Sequence, residues 1–117
     1  MIPAIAAILA LAIALPTLAQ EYRCNEAGNQ AELNACASDA YKAADKKLNA
    51  TYKAAIAKLD GTAREALRSE QRTWLKKLDP ACKHAADDEA KGGSMWPMVY
   101  QYCLADRTEK RITELKK

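Results

Sequence analysis

The chain has a single histidine, His84, and little else from which an active centre is commonly built. Nucleophilic catalysis needs an activated serine, cysteine or threonine beside a base, and no Gly-x-Ser-x-Gly elbow occurs. The carboxylates fall on charge-rich stretches, where solvated ion pairs are the ordinary expectation. No segment alternates apolar and polar residues with period two, so no sheet is expected. No apolar run after residue 19 approaches the roughly 20 residues that a membrane helix needs. A concentrated basic stripe with stacking aromatics is missing as well. The net charge of +3 is spread among interleaved acids, as on a solvated helical surface, and this argues against a nucleic acid partner.

One cluster invites a metal reading. The segment HAADDE brings His84, Asp87, Asp88 and Glu89 close together, and on a helical turn His84 and Asp88 share a face. A structural zinc site wants four nitrogen or sulfur ligands, and a calcium loop wants spaced oxygens with a glycine at the bend. Neither pattern is met, so no metal and no cofactor is expected, and the chain does not read as an enzyme.

What is present starts with MIPAIAAILALAIALPTLA, an uncharged apolar run over residues 1–19 with Pro16 near its end and Thr17 and Ala19 at cleavage-site positions. It reads as a secretory signal cut before Gln20, leaving residues 20–117 as one domain with no membrane span. Four cysteines follow, Cys24, Cys36, Cys82 and Cys103. An even count behind an export signal points to disulfides rather than to free thiols or metal. Three pairings are possible; proximity along the chain favours Cys24 with Cys36 and Cys82 with Cys103.

The rest patterns as helix. Leu33, Ala37, Tyr41, Ala44, Leu48, Tyr52, Ile56 and Leu59 recur at steps of three and four, drawing one apolar stripe on a long first helix. Asp60-Gly61 stops it, because glycine accepts the left-handed conformation that closes a helix. Thr62 with Glu65 has the spacing of a capping box, so a second helix starts at once, with Ala63, Leu67, Trp74 and Leu78 on its stripe. It is expected to end near Asp79, since Pro80 disfavours helix before it. So short a connection makes the first two helices antiparallel neighbours. A third helix follows Gly92-Gly93, with Ser94 as cap, Pro97 in the first turn, and Met98, Val99, Tyr102, Ile112 and Leu115 buried. The expected architecture is an all-α bundle of three main helices with two disulfide staples. His84 to Gly93 is then an irregular or briefly helical connection. Trp74 belongs to the core by its place on the stripe. Trp96, off the apolar side of the third helix, caps the end of the bundle or anchors a partner.

Cys24, Cys36, DKKLNATY at 45–52, LRSEQRTWLKKLDPAC at 67–82, GGSM at 92–95 and CLADRTEKRITEL at 103–115 arrive in one order, and together they resemble the LprI-like lysozyme-inhibitor family. The resemblance covers nearly all of residues 20–117. It implies an exported helical domain of the bacterial envelope, periplasmic or secreted, with two disulfides and a lysozyme-type muramidase as protein partner. The family's polar positions fall on Asp45, Asn49, Gln71, Arg72, Thr108 and Arg111, which are expected to form a hydrogen-bonded seam among the helices. In one departure, Leu78 stands where similar members carry arginine before Asp79, which argues against a polar role for Asp79. The surface expected to meet the partner is the tip between Cys82 and Cys103: Asp87, Asp88, Glu89, Lys91, Gly92, Gly93, Ser94 and Trp96. There glycine lets backbone amides approach closely. The alternative is a non-inhibitory envelope interaction module with another partner.

Overall fold

The computed structural model describes residues 28–117. The expected signal at 1–19, the cut before Gln20 and Cys24 lie outside the described residues. Three helices make up the fold, α1 (Gln30–Ala57), α2 (Gly61–Ala90) and α3 (Trp96–Leu115), and there is no strand among the described residues.

α1 starts where a side chain can satisfy its free amides. Asn29 is the N-cap, its Oδ1 accepting from the Glu32 amide at 2.9 Å, while its Nδ2 donates to Glu32 Oε1 at 3.3 Å. All eight members of the stripe read from the sequence are buried or half-buried, with Ala37, Ala44 and Leu48 at its centre. α1 closes at Ala57 with Lys58 as a right-handed C-cap, earlier than the expected stop at Asp60-Gly61; Gly61, at φ +52°, is instead the first residue of α2. The capping box does not form. Asp60 is the N-cap of α2 and makes no side-chain cap bond; Thr62 already lies inside the helix, and Glu65 pairs instead with Arg68 at 2.9 Å.

The largest departure from the sequence pattern is at Pro80, which sits inside α2 rather than ending it. A proline removes the hydrogen bond to the carbonyl four residues back, here that of Lys76, and crowds that carbonyl. Pro80 and Lys76 are on the exposed side, where water can take the freed acceptor. Leu78, Cys82 and Ala86, four apart, keep one face buried across the proline. Burial of that face outweighs a local cost of about 3 kcal/mol. The expected irregular stretch from His84 is therefore helix as far as Ala90, and the connection shrinks to Lys91–Met95. The cap of α3 also differs: Met95, not Ser94, is the N-cap, without a side-chain bond, and Pro97 lies in the first turn.

α3 is the central element. Asn34 meets the Ser94 carbonyl and Lys47 meets Glu109, so α1 and α3 run in the same direction. Asp87 meets Trp96, Cys82 is bonded to Cys103 and Gln71 meets Arg111, so α2 and α3 run in opposite directions. α1 and α2 barely touch. The expectation that they pack directly as neighbours gives way to a fold in which α3 holds them both. Small residues permit this: Ala37 and Ala44 of α1 and Ala105 of α3 let the backbones approach closely around Leu48 and Ile112.

Leu78, Cys82 and Leu104 form the buried cluster between α2 and α3, with Tyr41, Trp74, Tyr100 and Cys103 packed against it. Cys82 and Cys103 are bonded, with Cα atoms 5.5 Å apart, and tie the two helices together. Cys36 is buried on α1; its expected pairing with Cys24 falls outside the described residues.

Candidate functional site

At the end of the molecule where α2 turns into α3, polar contacts from all three helices converge. Gly92 adopts φ +74°, a left-handed conformation that a side chain would strain. The Gly93 amide donates to the Ala90 carbonyl at 2.9 Å, and the Trp96 amide donates to the Gly93 carbonyl at 3.2 Å, winding the turn tightly into α3. From α1, Asn34 Nδ2 donates to the Ser94 carbonyl at 3.1 Å, so a third element fastens the turn. Lys91, Gly92, Gly93, Ser94 and Met95 all face solvent. Met95 is 45% exposed, which makes it one of two large hydrophobic side chains laid open among the described residues.

Trp96 is half-buried and acts as a clamp. Its Nε1 donates to Asp87 Oδ1 at 2.8 Å, and its ring stacks on Tyr100 with centroids 5.0 Å apart and planes 18° from parallel. Tyr100 in turn donates from its hydroxyl to Asp79, which also pairs with Lys83 at 2.9 Å. Asp79 thus has a polar role despite Leu78 beside it: the partner comes from across the helix interface and from one turn on, while Leu78 is buried in the core. Hydrogen bonding from Tyr100, then from Lys83, holds the Asp79 carboxyl below its ordinary value. Burial, followed by the bond to Asp79, pushes Tyr100 up to about 12. Tyr41 is raised as well, by burial first and then by the nearby Asp45 and Asp79 charges.

The remaining acids of the tip lie on the last turns of α2, exposed. Asp87 holds Trp96, Asp88 lies 3.5 Å from His84, and Glu89 faces solvent. Among the described residues no group of three or more potential metal ligands comes together.

The six seam positions separate. Gln71, Thr108 and Arg111 are buried, Asp45 is half-buried, and Asn49 and Arg72 are exposed. Arg111 Nε donates to Gln71 Oε1 at 2.9 Å, and its Nη1 donates to Glu70 at 2.9 Å and Glu114 at 3.1 Å. The guanidinium also lies 6.0 Å from the centre of the Trp74 ring. Glu70, Glu114 and Trp74 were outside the seam read from the sequence. The signal for Glu114 was its i,i+3 spacing from Arg111; nothing local marked Glu70, forty-one positions away.

What the fold defines is a small helical domain, stapled by a disulfide, that offers solvent a short glycine turn fastened from three elements. Residues 23–115 match the family described as Lysozyme inhibitor LprI, and the chain belongs to that family. It is 40% identical to the uncharacterized protein R02472 of Rhizobium meliloti (strain 1021) over 123 aligned positions, which cover 92% of this chain and 88% of that protein. No solved structure matches the chain.

Proposed function

We propose that the protein is an exported inhibitor of lysozyme or a related peptidoglycan hydrolase and acts by occluding the enzyme's cleft. Membership of the lysozyme-inhibitor family over residues 23–115 is the observation that carries this reading. In the same proposal residues 1–19 are a cleaved signal, residues 20–117 are one domain, a Cys24–Cys36 bond staples the N-terminal arm to α1, and the protein works in the periplasm or outside the cell. No helix among the described residues is long and apolar enough to cross a membrane, and the Cys82–Cys103 bond suits an oxidising compartment.

Glycosidases of this kind work with two carboxyl groups in a groove. An inhibitor has to fill that groove and offer donors or a cation to the carboxylates. The Lys91–Met95 turn supports such a role: it is exposed, carries an ammonium group, and is already ordered by Asn34 and Trp96, so little entropy is lost on docking. Asp87, Asp88 and Glu89 stand beside it and suit the basic rim of an animal lysozyme. The test is turbidity of a cell-wall suspension digested by lysozymes of several classes. Slower clearing with at least one class supports the reading, and unchanged clearing with all of them at every ionic strength removes it.

The net charge of +3 favours a second reading. Long-range steering toward a basic lysozyme is repulsive, so a non-inhibitory envelope module with a different protein partner fits the charge better. A pull-down from periplasmic extract separates the two by whether a hydrolase is the main partner.

A further inference from the structure

A groove of about 660 Å³ runs between α2 and α3, and no α1 residue lines it. Trp74, Leu78 and Ala81 form its apolar part, while Lys77 on α2 and Arg107 and Lys110 on α3 stand along it. All three cations are exposed, and none makes an ion pair with a described residue. Two acids also line the groove. Glu114 is already engaged by Arg111, which leaves Asp106 as the one free carboxylate against three free cations among the lining residues.

We propose that this groove binds a sugar carrying one anionic group, a carboxylate or a phosphate. Arg107 and Lys110 are three residues apart on one helix, so roughly 4.5 Å of rise separates them, and Lys77 lines the same groove from the other helix. Three cations lining one groove of this size suit a single anionic group better than a long polyanion. An anion arriving there breaks no existing salt bridge, which removes a cost that most surface cations impose. The part of the half-buried indole that Arg111 and the core leave open, with the apolar floor beside it, supplies a surface for the C–H face of a pyranose, in the pattern of apolar lining with a few placed polar groups. An acidic peptide is the poorer fit, because the backbone on both sides of the groove is helical and, apart from the exposed Lys76 carbonyl that Pro80 frees, is bonded within the helices. A bound peptide would find no run of main-chain groups to pair with. The site is separate from the Lys91–Met95 turn and does not depend on the inhibitor reading.

The experiment uses the Trp96→Phe protein, in which Trp74 is the remaining tryptophan of the two. Its emission is followed during titration with N-acetylmuramic acid, which carries a carboxylate, and with N-acetylglucosamine 1-phosphate. Neutral N-acetylglucosamine, inorganic phosphate and a triglutamate peptide serve as comparisons. The expected result is a saturable change with at least one anionic sugar, about tenfold tighter than with the neutral sugar or phosphate alone. The arm that responds tells carboxylate from phosphate. Lys77→Ala with Lys110→Ala should abolish the response, and Arg72→Ala with Lys76→Ala, on another face of α2, should leave it unchanged. Amide shifts of the wild-type protein in the same titrations repeat the reading with Trp96 in place. No saturable response to either anionic sugar, equal affinity for the neutral sugar or for phosphate, tighter binding of triglutamate, or equal loss in the Arg72 and Lys76 pair would each overturn the proposal.

Discussion

The Tyr100 hydroxyl donates a hydrogen bond to the Asp79 carboxylate across the interface between α3 and α2, one turn from the disulfide that joins the same helices. This pair contributes to the molecule's response at both extremes of pH. Tyr100 has its folded value raised from 10.0 to about 12, so its contribution to stability is complete below pH 10 and is lost as pH rises toward 12. Asp79 is lowered from 3.8, so its contribution is present above that value and disappears as pH falls through the folded value. Melting temperature followed by circular dichroism should therefore fall at both ends, and Tyr100→Phe should flatten both limbs. Tyr41, also raised, leaves a residual alkaline slope in that variant. Identical pH profiles for wild type and Tyr100→Phe would remove the pair from the account.

Arg111 is 5% exposed, and Gln71, its buried partner, accepts through that oxygen from no other described residue. Arg111→Ala should cost about 2–3 kcal/mol, because it strips a buried amide of its donor and removes packing from Trp74. For a domain of this size that is a fall of roughly 10–15 °C in melting temperature. Glu70→Ala removes an exposed partner of the same guanidinium and should cost less than about 1 kcal/mol. Asn49→Ala and Arg72→Ala, both exposed, should stay within about 0.5 kcal/mol of wild type. Chemical denaturation of the four variants gives the order directly.

Much of the fold was legible from apolar spacing. The stripe on α1, the break between α1 and α2 near Asp60-Gly61 and the start of α3 near Pro97 follow from rules local to a few residues, although α1 closes three residues before Asp60, on Lys58 in a right-handed conformation rather than on the glycine. The run of α2 through Pro80 was not, because the penalty of a proline is local while the compensation comes from Leu78, Cys82 and Ala86 packing on another helix. Those residues, four apart, were the signal that the helix continued, but two of them are small and weigh little on a hydropathy pattern. The place of α3 between α1 and α2 was hidden for a similar reason. A short connection fixes which helices follow each other, and the side chains decide which ones pack. At the tip, the turn and its glycines could be read in advance, whereas the anchors Asn34 and Asp87 reach it from positions 60 and 9 residues away in sequence.

Pro80→Ala tests the account of α2. It restores an amide that can donate to the Lys76 carbonyl, at an exposed position with no packing to lose. Helix propensity gains, less the stiffening proline gives the unfolded chain, predict stabilisation by about 1–2 kcal/mol. A loss of stability would mean that the proline shapes α2 to fit α3.

Reducing the Cys82–Cys103 bond, or replacing both cysteines with alanine, should cost about 3 kcal/mol, the loop-closure entropy expected for a separation of 21 residues. Because Cys82 belongs to the core cluster and Cys103 lies one turn from Tyr100 of the Trp96–Tyr100 stack, the loss should also loosen the tip, seen as faster amide exchange at Gly93 and Trp96. Unchanged exchange there would show that Asn34 and Asp87 hold the turn without it.

The most direct test of the inhibitory tip is a comparison of wild type with a Lys91→Glu, Met95→Ala variant in lysozyme digestion of cell walls. Both side chains are exposed and neither makes a hydrogen bond or ion pair within the described residues, so the melting temperature should hold. Wild type should slow digestion, and the variant should need about tenfold more protein, or beyond, for the same effect. Equal inhibition by a correctly folded variant would contradict it and move the contact surface away from the turn.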